Sequence, residues 1–357
     1  MIVGAMILFI YAVFVLWLIW GIVKTQTFQI ERSFKPQTTF SIIIPFKNEV
    51  QNLGALYHSL QKLDYPNDLF EVLMINDHST DASTDMVRRF NEVKLLTNTG
   101  QGKKKALQTG ILQSKFSWIV TTDADTVLPE NWLKILDAFI QQYKPKMVLG
   151  LVNFFDDSRF ITQFQQIEFL ILQALTMAGL KAGKPFLANG ANLAFTKEVF
   201  EQVGGYKGNA HIASGDDVFL LEKIHRKYPD KICFLKSQQA IVQTHAMSSW
   251  RHLWQQKIRW AAKTKHIKNT LAWLSGLLIL SVQLTVLWAF WHYKPYAWFI
   301  AGKLFLDALL LVVVNRFYKA RIHPIYFILS FLWYPFYFIV TALGAYRGKY
   351  IWKGQSY

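Results

Sequence analysis

Residues 118–126 read WIVTTDADT, an apolar run that breaks into hydroxyls and then into two carboxylates flanking one residue. Runs of this kind are strands buried on both faces, whose ends reach the ligand-bearing edge of a sheet. Phe40 to Pro45 (FSIIIP), Phe70 to Ile75 (FEVLMI) and Val93 to Leu96 repeat the pattern, each ending at polar residues. Helical stretches separate them, so the chain between Lys24 and Thr270 has the rhythm of a parallel α/β sheet. Ligands of such sheets collect at the carboxyl ends of the strands. No repeat or low-complexity segment interrupts this middle, which reads as one domain of catalytic size.

Outward from it, the composition is too apolar for an ordinary soluble protein: 52% of the 357 residues are hydrophobic and 16% aromatic. Met1 to Val23 carries no charged side chain and is long enough to cross a hydrocarbon core. It lacks the basic start and small-residue cleavage site of a signal peptide, and Lys24, Arg32 and Lys35 follow it. An uncleaved anchor with the middle domain in the cytosol is the expectation.

Further apolar runs span Leu271 to Trp291, about Ala297 to Val314, and Pro324 to Tyr346. Lys303 and Asp307 lie four apart in the third, spaced to pair on one helical face. Arg316, Lys319 and Arg321 place the following loop on the cytosolic side. Full crossings would then put Arg347, Lys349 and Lys353 outside, whereas a last run broken at Pro324 and Pro335 would return the tail to the cytosol. Both topologies stand at this stage. Cys233 is the single cysteine, which excludes a disulfide framework and zinc clusters.

Thirty-nine Lys and Arg against 23 Asp and Glu give a formal charge of +16. Much of it falls in residues 247–268, MSSWRHLWQQKIRWAAKTKHIK, where Trp250, Leu253, Trp254, Ile258 and Ala261 form one apolar stripe. That pattern lies flat in a membrane interface, and anionic lipid headgroups explain the charge better than nucleic acid, for which no recognition motif is present.

Asp123 and Asp125 suit a hard divalent cation, Mg²⁺ or Mn²⁺, that would neutralise a diphosphate leaving group; a plain Asx turn is the alternative. Asp77 and Glu49 stand at the ends of neighbouring strands and can face one crevice. Residues 100–107, GQGKKKAL, put a glycine turn before a basic helix start suited to phosphate, with Lys104 and Lys105 read as a solvated face. Ser79, Thr80 and Asp81 either cap the next helix or touch ligand. Asp216 and Asp217 precede an apolar helical pattern, so that one can cap the helix while the other points into a cleft. His211 and His245 are lone histidines read as structural or surface groups, with His245 also near enough in sequence to approach a metal.

Five motifs thus stand in order: IPFKNE at 44–49, NDHSTD at 76–81, DAD at 123–125, GDD at 215–217 and QKIRW at 256–260. In this combination the chain resembles, over nearly its whole length, the membrane-bound glycosyltransferases of family 2, the group with cellulose, hyaluronan and chitin synthases and ceramide glucosyltransferase. The resemblance implies the GT-A nucleotide-sugar-binding α/β sandwich, with one N-terminal transmembrane helix and a C-terminal transmembrane region. It implies that Glu49 and Asp77 hold uridine, that Gly102 and Lys103 meet phosphate, and that Asp123 meets donor as well as metal. Asp217 becomes the general base of an inverting transfer, beside Asp216 where relatives have Glu. Gln256, Arg259 and Trp260 match QxxRW, with Arg259 toward pyrophosphate and Trp260 as a wall for the acceptor. Asn189 to Phe195 with Gly204, Gly205 and Tyr206 resembles an acceptor-side loop, and Trp352, Lys353 and Gly354 a basic tail motif of lipid-acting relatives. Asn76 departs from an acid often found beside Asp77.

The expected layout is therefore an anchor at 1–23, a GT-A catalytic domain at 24–246, an interfacial helix at 247–269, and a transmembrane region with basic tail at 270–357. The expected activity moves a sugar from a UDP-sugar to a membrane lipid at the cytosolic face. A processive polysaccharide synthase shares every motif, but such relatives commonly bring more helices than the apolar runs found here. A non-catalytic nucleotide-sugar-binding scaffold is the alternative of another class. The sugar, the choice of lipid or glycan acceptor and the oligomeric state are not written in these motifs.

Overall fold

The computed structural model describes residues 1–30, 34–209, 214–262, 269–347, 351–352 and 355–356. His211, Lys349, Lys353 and Gly354 lie outside them. In chain order the first elements are α1 (Ile2–Lys24), β1 (Phe40–Phe46), α2 (Leu53–Gln61), β2 (Phe70–Asn76), α3 (Ser83–Val87), β3 (Val93–Thr97) and α4 (Lys103–Gln113). Then come β4 (Trp118–Thr121), β5 (Thr126–Val127), α5 (Trp132–Tyr143), β6 (Met147–Leu149), β7 (Val152–Phe154), α6 (Phe160–Lys181), β8 (Leu193–Thr196) and α7 (Lys197–Gln202). The last are α8 (Asp216–Lys227), β9 (Ile232–Phe234), β10 (Val242–Thr244), α9 (Trp250–Ala262), α10 (Thr270–Trp291), α11 (Tyr293–Tyr318) and α12 (Pro324–Arg347), followed by the short paired strands β11 (Ile351–Trp352) and β12 (Gln355–Ser356).

They form two compact units. One joins residues 26–155 and 187–245; the other joins 1–25, 156–186 and 246–357. Residues 156–186, inside the stretch expected to be catalytic, thus group with the apolar helices.

The α/β unit is built on a seven-stranded sheet of order β3-β2-β1-β4-β8-β6-β9, with a three-stranded sheet β5-β10-β7 beside it. β1 lies parallel between β2 and β4, and every one of its residues is buried, which is why it is a continuous apolar run. Pro45 is tolerated in this central strand because pairing with β4 ends at Ile43↔Thr121, leaving Pro45 with a partner strand on one side only. The sheet is mixed and not wholly parallel as expected, since β8 runs antiparallel to β4 and to β6. The buried run Leu193, Ala194, Phe195 has no polarity that could reveal its direction.

Among the described residues the helical unit contains four helices long and apolar enough to cross a membrane: Ile2–Lys24, Thr270–Trp291, Lys294–Tyr318 and Pro324–Tyr346. Large apolar side chains such as Phe9, Leu16, Trp273, Trp288 and Phe305 stand exposed on them, as lipid-facing residues do. Against the alternative of a broken last run, α12 continues through Pro335, whose flanks Phe331 and Tyr337 are buried in packing that can hold a proline within a helix. α1 packs on α6 at close range: a Cβ on Gly21 would stand 2.4 Å from the Ala178 Cα. The pair expected in α11 is present, with Lys303 Nζ 2.5 Å from Asp307 Oδ2, and Tyr11 of α1 donates to Asp307 Oδ1 at 2.5 Å.

The stripe of α9 faces protein and not lipid. Leu253 is fully buried in a cluster with Ile161, Phe164 and Tyr337, against which Trp250 and Trp254 pack, and Gly344 of α12 abuts Ile258. An amphipathic pattern records that a face is covered, and here α6 and α12 cover it.

Candidate active site

The carboxyl ends of β1, β2 and β4 gather the polar residues of the α/β unit. Past β1, Asn48 adopts φ +54° and past β2 His78 adopts φ +58°, sharp turns that reverse the chain where it leaves the sheet. The two turns are latched together. Asn48 N donates to Ser79 Oγ at 3.1 Å, Thr80 N donates to Asn48 Oδ1 at 2.8 Å, and Glu49 N donates to Ser83 Oγ at 2.8 Å. Asp81 accepts from Ser83 N at 3.0 Å at the start of α3. Ser79 and Thr80 therefore tie the loops to one another, a third role beside the two expected.

Asp77 is buried at 8% exposure, and its carboxylate accepts from Gly102 N at 2.9 and 3.1 Å and from Asn98 Nδ2 at 2.6 Å. It fixes the turn that begins α4. Glycine is favoured at position 102 because its φ is +88°, a backbone conformation that strains any side chain. Asn98, one residue past β3 and 3% exposed, also accepts from Gly100 N at 3.1 Å. The motifs passed over this asparagine; its only sequence signal is a polar residue directly after a strand.

Lys103, next in line, reaches the centre of the site. Its Nζ lies 2.5 Å from Asp123 Oδ1 and 3.9 Å from Asp216 Oδ2. Burial alone would push this ammonium down, but Asp123, Asp216 and Asp217 outweigh it and hold Lys103 above the usual lysine range, fully charged. Gly190 closes the cluster: a Cβ there would stand 3.2 Å from Asp216 Oδ2, 3.6 Å from Lys103 Nζ and 3.9 Å from the Asp217 Cβ. Thr121 Oγ1 holds the Gly190 carbonyl at 2.7 Å. Tyr206 is buried nearby, its phenol pushed up by burial and then by Asp216 and Asp217.

Asp125 is held up at about 7 by burial, then by the charges of Asp123 and Glu49. Among the described residues no three His, Cys, Asp or Glu side chains form a ready metal cage. The donor set nonetheless suits a hard cation: carboxylates that repel one another, with a lysine ammonium as their present counter-ion. His245 is exposed against the Phe155 ring at 4.8 Å, one residue past Thr244, whose Oγ1 donates to the Asp125 carbonyl at 3.4 Å. Lys104, expected on a solvated face, is 6% exposed and donates to the Asn209 carbonyl at 2.8 Å, whereas Lys105 is exposed as expected.

Residues 41–204 match the family model described as glycosyl transferase family 2. The chain carries a family 2 glycosyltransferase domain. It is similar to the probable glycosyltransferase YdaM of Bacillus subtilis, 25% identical over 90% of this chain and 81% of that one. It is also similar to the poly-beta-1,6-N-acetyl-D-glucosamine synthase of Staphylococcus epidermidis, 26% identical over 62% of this chain, and to the beta-monoglucosyldiacylglycerol synthase of a Synechocystis species, 23% identical over 69%. The chain spans about half the length of these two, 53% and 55%. Among solved structures the mannosyltransferase PcManGT of Pyrobaculum calidifontis, in complex with GDP-Man and Mn²⁺, shares the fold at 18% identity, with a TM-score of 0.60 over 96% of both chains. The glycosyltransferase domain therefore has the GT-A fold.

Gln256, Arg259 and Trp260 lie on α9 in the helical unit, apart in grouping from the glycosyltransferase carboxylates. Within that unit Lys257 is the anchor of the motif. Its Nζ pairs with Glu168 of α6 at 2.6 Å and sits 4.3 Å over the Trp260 ring, with both ion-pair side chains nearly buried. Glu168→Gln leaves the lysine charge buried without its counter-ion and is expected to cost about 3 kcal/mol, more than the double variant Glu168→Gln with Lys257→Met. Thermal unfolding of the singles and the double in detergent measures this; a loss in the double equal to the sum of the two single losses would show that the pair is not coupled.

Proposed function

We propose that the protein is an inverting, metal-dependent glycosyltransferase that moves a sugar from a UDP-sugar to a lipid acceptor at the cytosolic face of a membrane. The observation that carries the reading is the convergence of Lys103, Asp123, Asp216 and Asp217, backed by Gly190, at one edge of the GT-A sheet. Asp216 is 9% exposed and lies against Lys103, while Asp217 is more open, which supports Asp217 as the carboxylate that takes a proton. An acceptor hydroxyl gives its proton to Asp217 as its oxygen attacks the anomeric carbon, and the bond to the diphosphate breaks on the opposite face, inverting the centre.

Lys103 is charged and faces the same space, so it can follow the negative charge that develops on the leaving group. Asp123 and Asp125 would hold Mg²⁺ or Mn²⁺, which when bound supplies Lewis-acid neutralisation of the diphosphate. Asp77 and Asn98 shape the loop before Lys103, and Glu49 stands beside Asp125 toward the nucleoside. Gln256, Arg259 and Trp260 take the pyrophosphate and acceptor roles that the QxxRW resemblance gives them. The basic residues of 316–321 and of α9 favour the cytosolic side and contact with anionic lipid.

A lipid acceptor suits a set of four apolar helices, and the likeness to a beta-monoglucosyldiacylglycerol synthase agrees with it. A polymer acceptor is the second reading, favoured by the likeness to a polysaccharide synthase. Membranes containing the protein, given labelled UDP-glucose, UDP-galactose, UDP-N-acetylglucosamine or GDP-mannose with Mn²⁺, separate the two. Label entering the organic phase from a UDP-sugar is the expected result. Label in a high-mass, glycosidase-sensitive fraction would establish the polymer reading instead, and transfer from GDP-mannose alone would overturn the choice of nucleotide.

A further inference from the structure

The first turn of α4 is three lysines, at the helix end where the macrodipole disfavours positive charge. Local helix stability therefore does not account for them, and what they touch must. Lys103 meets the site carboxylates, and Lys105 is exposed. Lys104 is the unusual one: a lysine only 6% exposed, whose ammonium donates to the Asn209 main-chain carbonyl at 2.8 Å and lies 4.9 Å over the Phe219 ring. Burying a lysine is expensive, so a buried ammonium held by a carbonyl and an aromatic face is a specific attachment and not a solvated side chain folded down.

What Lys104 attaches is the segment that delivers the base. Phe219 lies one turn into α8, the helix that begins with Asp216 and Asp217. Asn209 belongs to the preceding loop, and that loop is fastened to α8 by Lys223, whose Nζ donates to the Gly205 and Lys207 carbonyls, each at 2.6 Å. Loop and helix therefore form one body, and Lys104 joins that body to α4. At the adjacent position Lys103 reads the charge at the phosphate side of the site, and at Gly102 the same turn is pinned by Asp77. Neighbouring residues of one helical turn cannot move independently.

We infer that Lys104 is a positioning residue that couples donor binding at the Asn98–Lys103 turn to the placement of Asp216 and Asp217. The coupling rests on the proposed donor site and base, and it adds a part that the five motifs do not contain. A nucleoside diphosphate that settles on the α4 turn orders the Gly204–Asn209 loop and the start of α8 through Lys104. By reciprocity, a well-placed base segment tightens the hold on the diphosphate.

The test is hydrogen exchange on the full chain in detergent, with and without UDP and Mn²⁺, in the wild type, Lys104→Met and Lys104→Arg. In the wild type UDP is expected to slow exchange both at Asn98–Lys103 and, about tenfold, at Gly204–Asn209 and the first turns of α8. Lys104→Met keeps the apolar length of the stem and removes the donor. It should retain the slowing at Asn98–Lys103 and lose it at Gly204–Asn209 and α8, and Lys104→Arg should restore much of the loss. Unchanged exchange in the β1 and β2 peptides of Lys104→Met confirms that it has folded; if it has not, Lys104→Leu, which also lacks a donor, takes its place with the same expectation. Slowing of both regions in the Met or Leu variant, or of the donor turn alone in the wild type, would overturn the coupling. Absence of slowing at Asn98–Lys103 in the wild type would instead overturn the donor-site reading on which it rests.

Discussion

Asp217→Asn is expected to lower sugar transfer about a thousandfold while UDP affinity stays within about twofold of the wild type. Asparagine keeps the size of the side chain and its place at the start of α8, where Asp217 Oδ1 accepts from Val218 N at 2.7 Å, so the helix keeps its shape. What is lost is the ability to accept a proton from an attacking hydroxyl. Asp216→Asn should behave differently, because Asp216 lies against Lys103 and holds that lysine in the site. Its loss is expected to appear in donor affinity as well as in rate. Initial rates with a labelled UDP-sugar, together with UDP titration of the same preparations, separate the effects. Undiminished transfer by the Asp217 variant would remove it from the chemistry and leave Asp216 as the next carboxylate to consider.

The second large effect concerns Asp123. Asp123→Ala should weaken UDP binding in the presence of Mn²⁺ about a hundredfold, the scale of a lost metal contact to a diphosphate. Binding of UDP without metal should hold or rise. Lys103 gives its closest contact to Asp123 at 2.5 Å, and once that carboxylate is gone the ammonium is released toward phosphate. Calorimetric titration with UDP, with Mn²⁺ and then with chelator, measures both quantities in one preparation. A variant that keeps the full gain from Mn²⁺ would show that the ion is held elsewhere. The opposite signs make the result hard to mistake for general damage to the fold.

The parts of the fold that were legible in the sequence share a physical reason. β1, β2 and β4 are buried on both faces and end where polar residues begin, so burial and function are written in one stretch. Asp77, Lys103, Asp123 and Asp216 lie at or just past strand or helix ends, where a short motif suffices to mark them. The direction of β8 was not legible, because antiparallel and parallel partners bury the same apolar residues. Nor was the partner of the α9 stripe, since apolar periodicity does not distinguish lipid from a neighbouring helix. Lys104 differs from its expected solvated setting for a related reason: a lysine in a run of lysines has no local mark of burial, and its partners Asn209 and Phe219 lie more than a hundred residues away. The place of α6 is not legible because its grouping with α1 depends on long-range packing such as that of Gly21 on Ala178.

That helix also governs how the protein can be made and divided. α6 lies in sequence between β7 and β8, and β8 is an interior strand of the large sheet, flanked by β4 and β6. A nascent chain must therefore emit the α6 segment, whose packing partner α1 left the ribosome well over a hundred residues earlier, before it can supply the strand that joins the two halves of the sheet. Sheet closure waits on the segment that packs with the apolar helices, and α6 is unsheltered if α1 is not in place while the sheet is still open at its middle. No single cut frees the catalytic sheet: a fragment running from residue 26 to 245 still contains α6 without α1 and is expected to aggregate. A soluble catalytic core calls for excision of residues 156–186 with a short linker in their place.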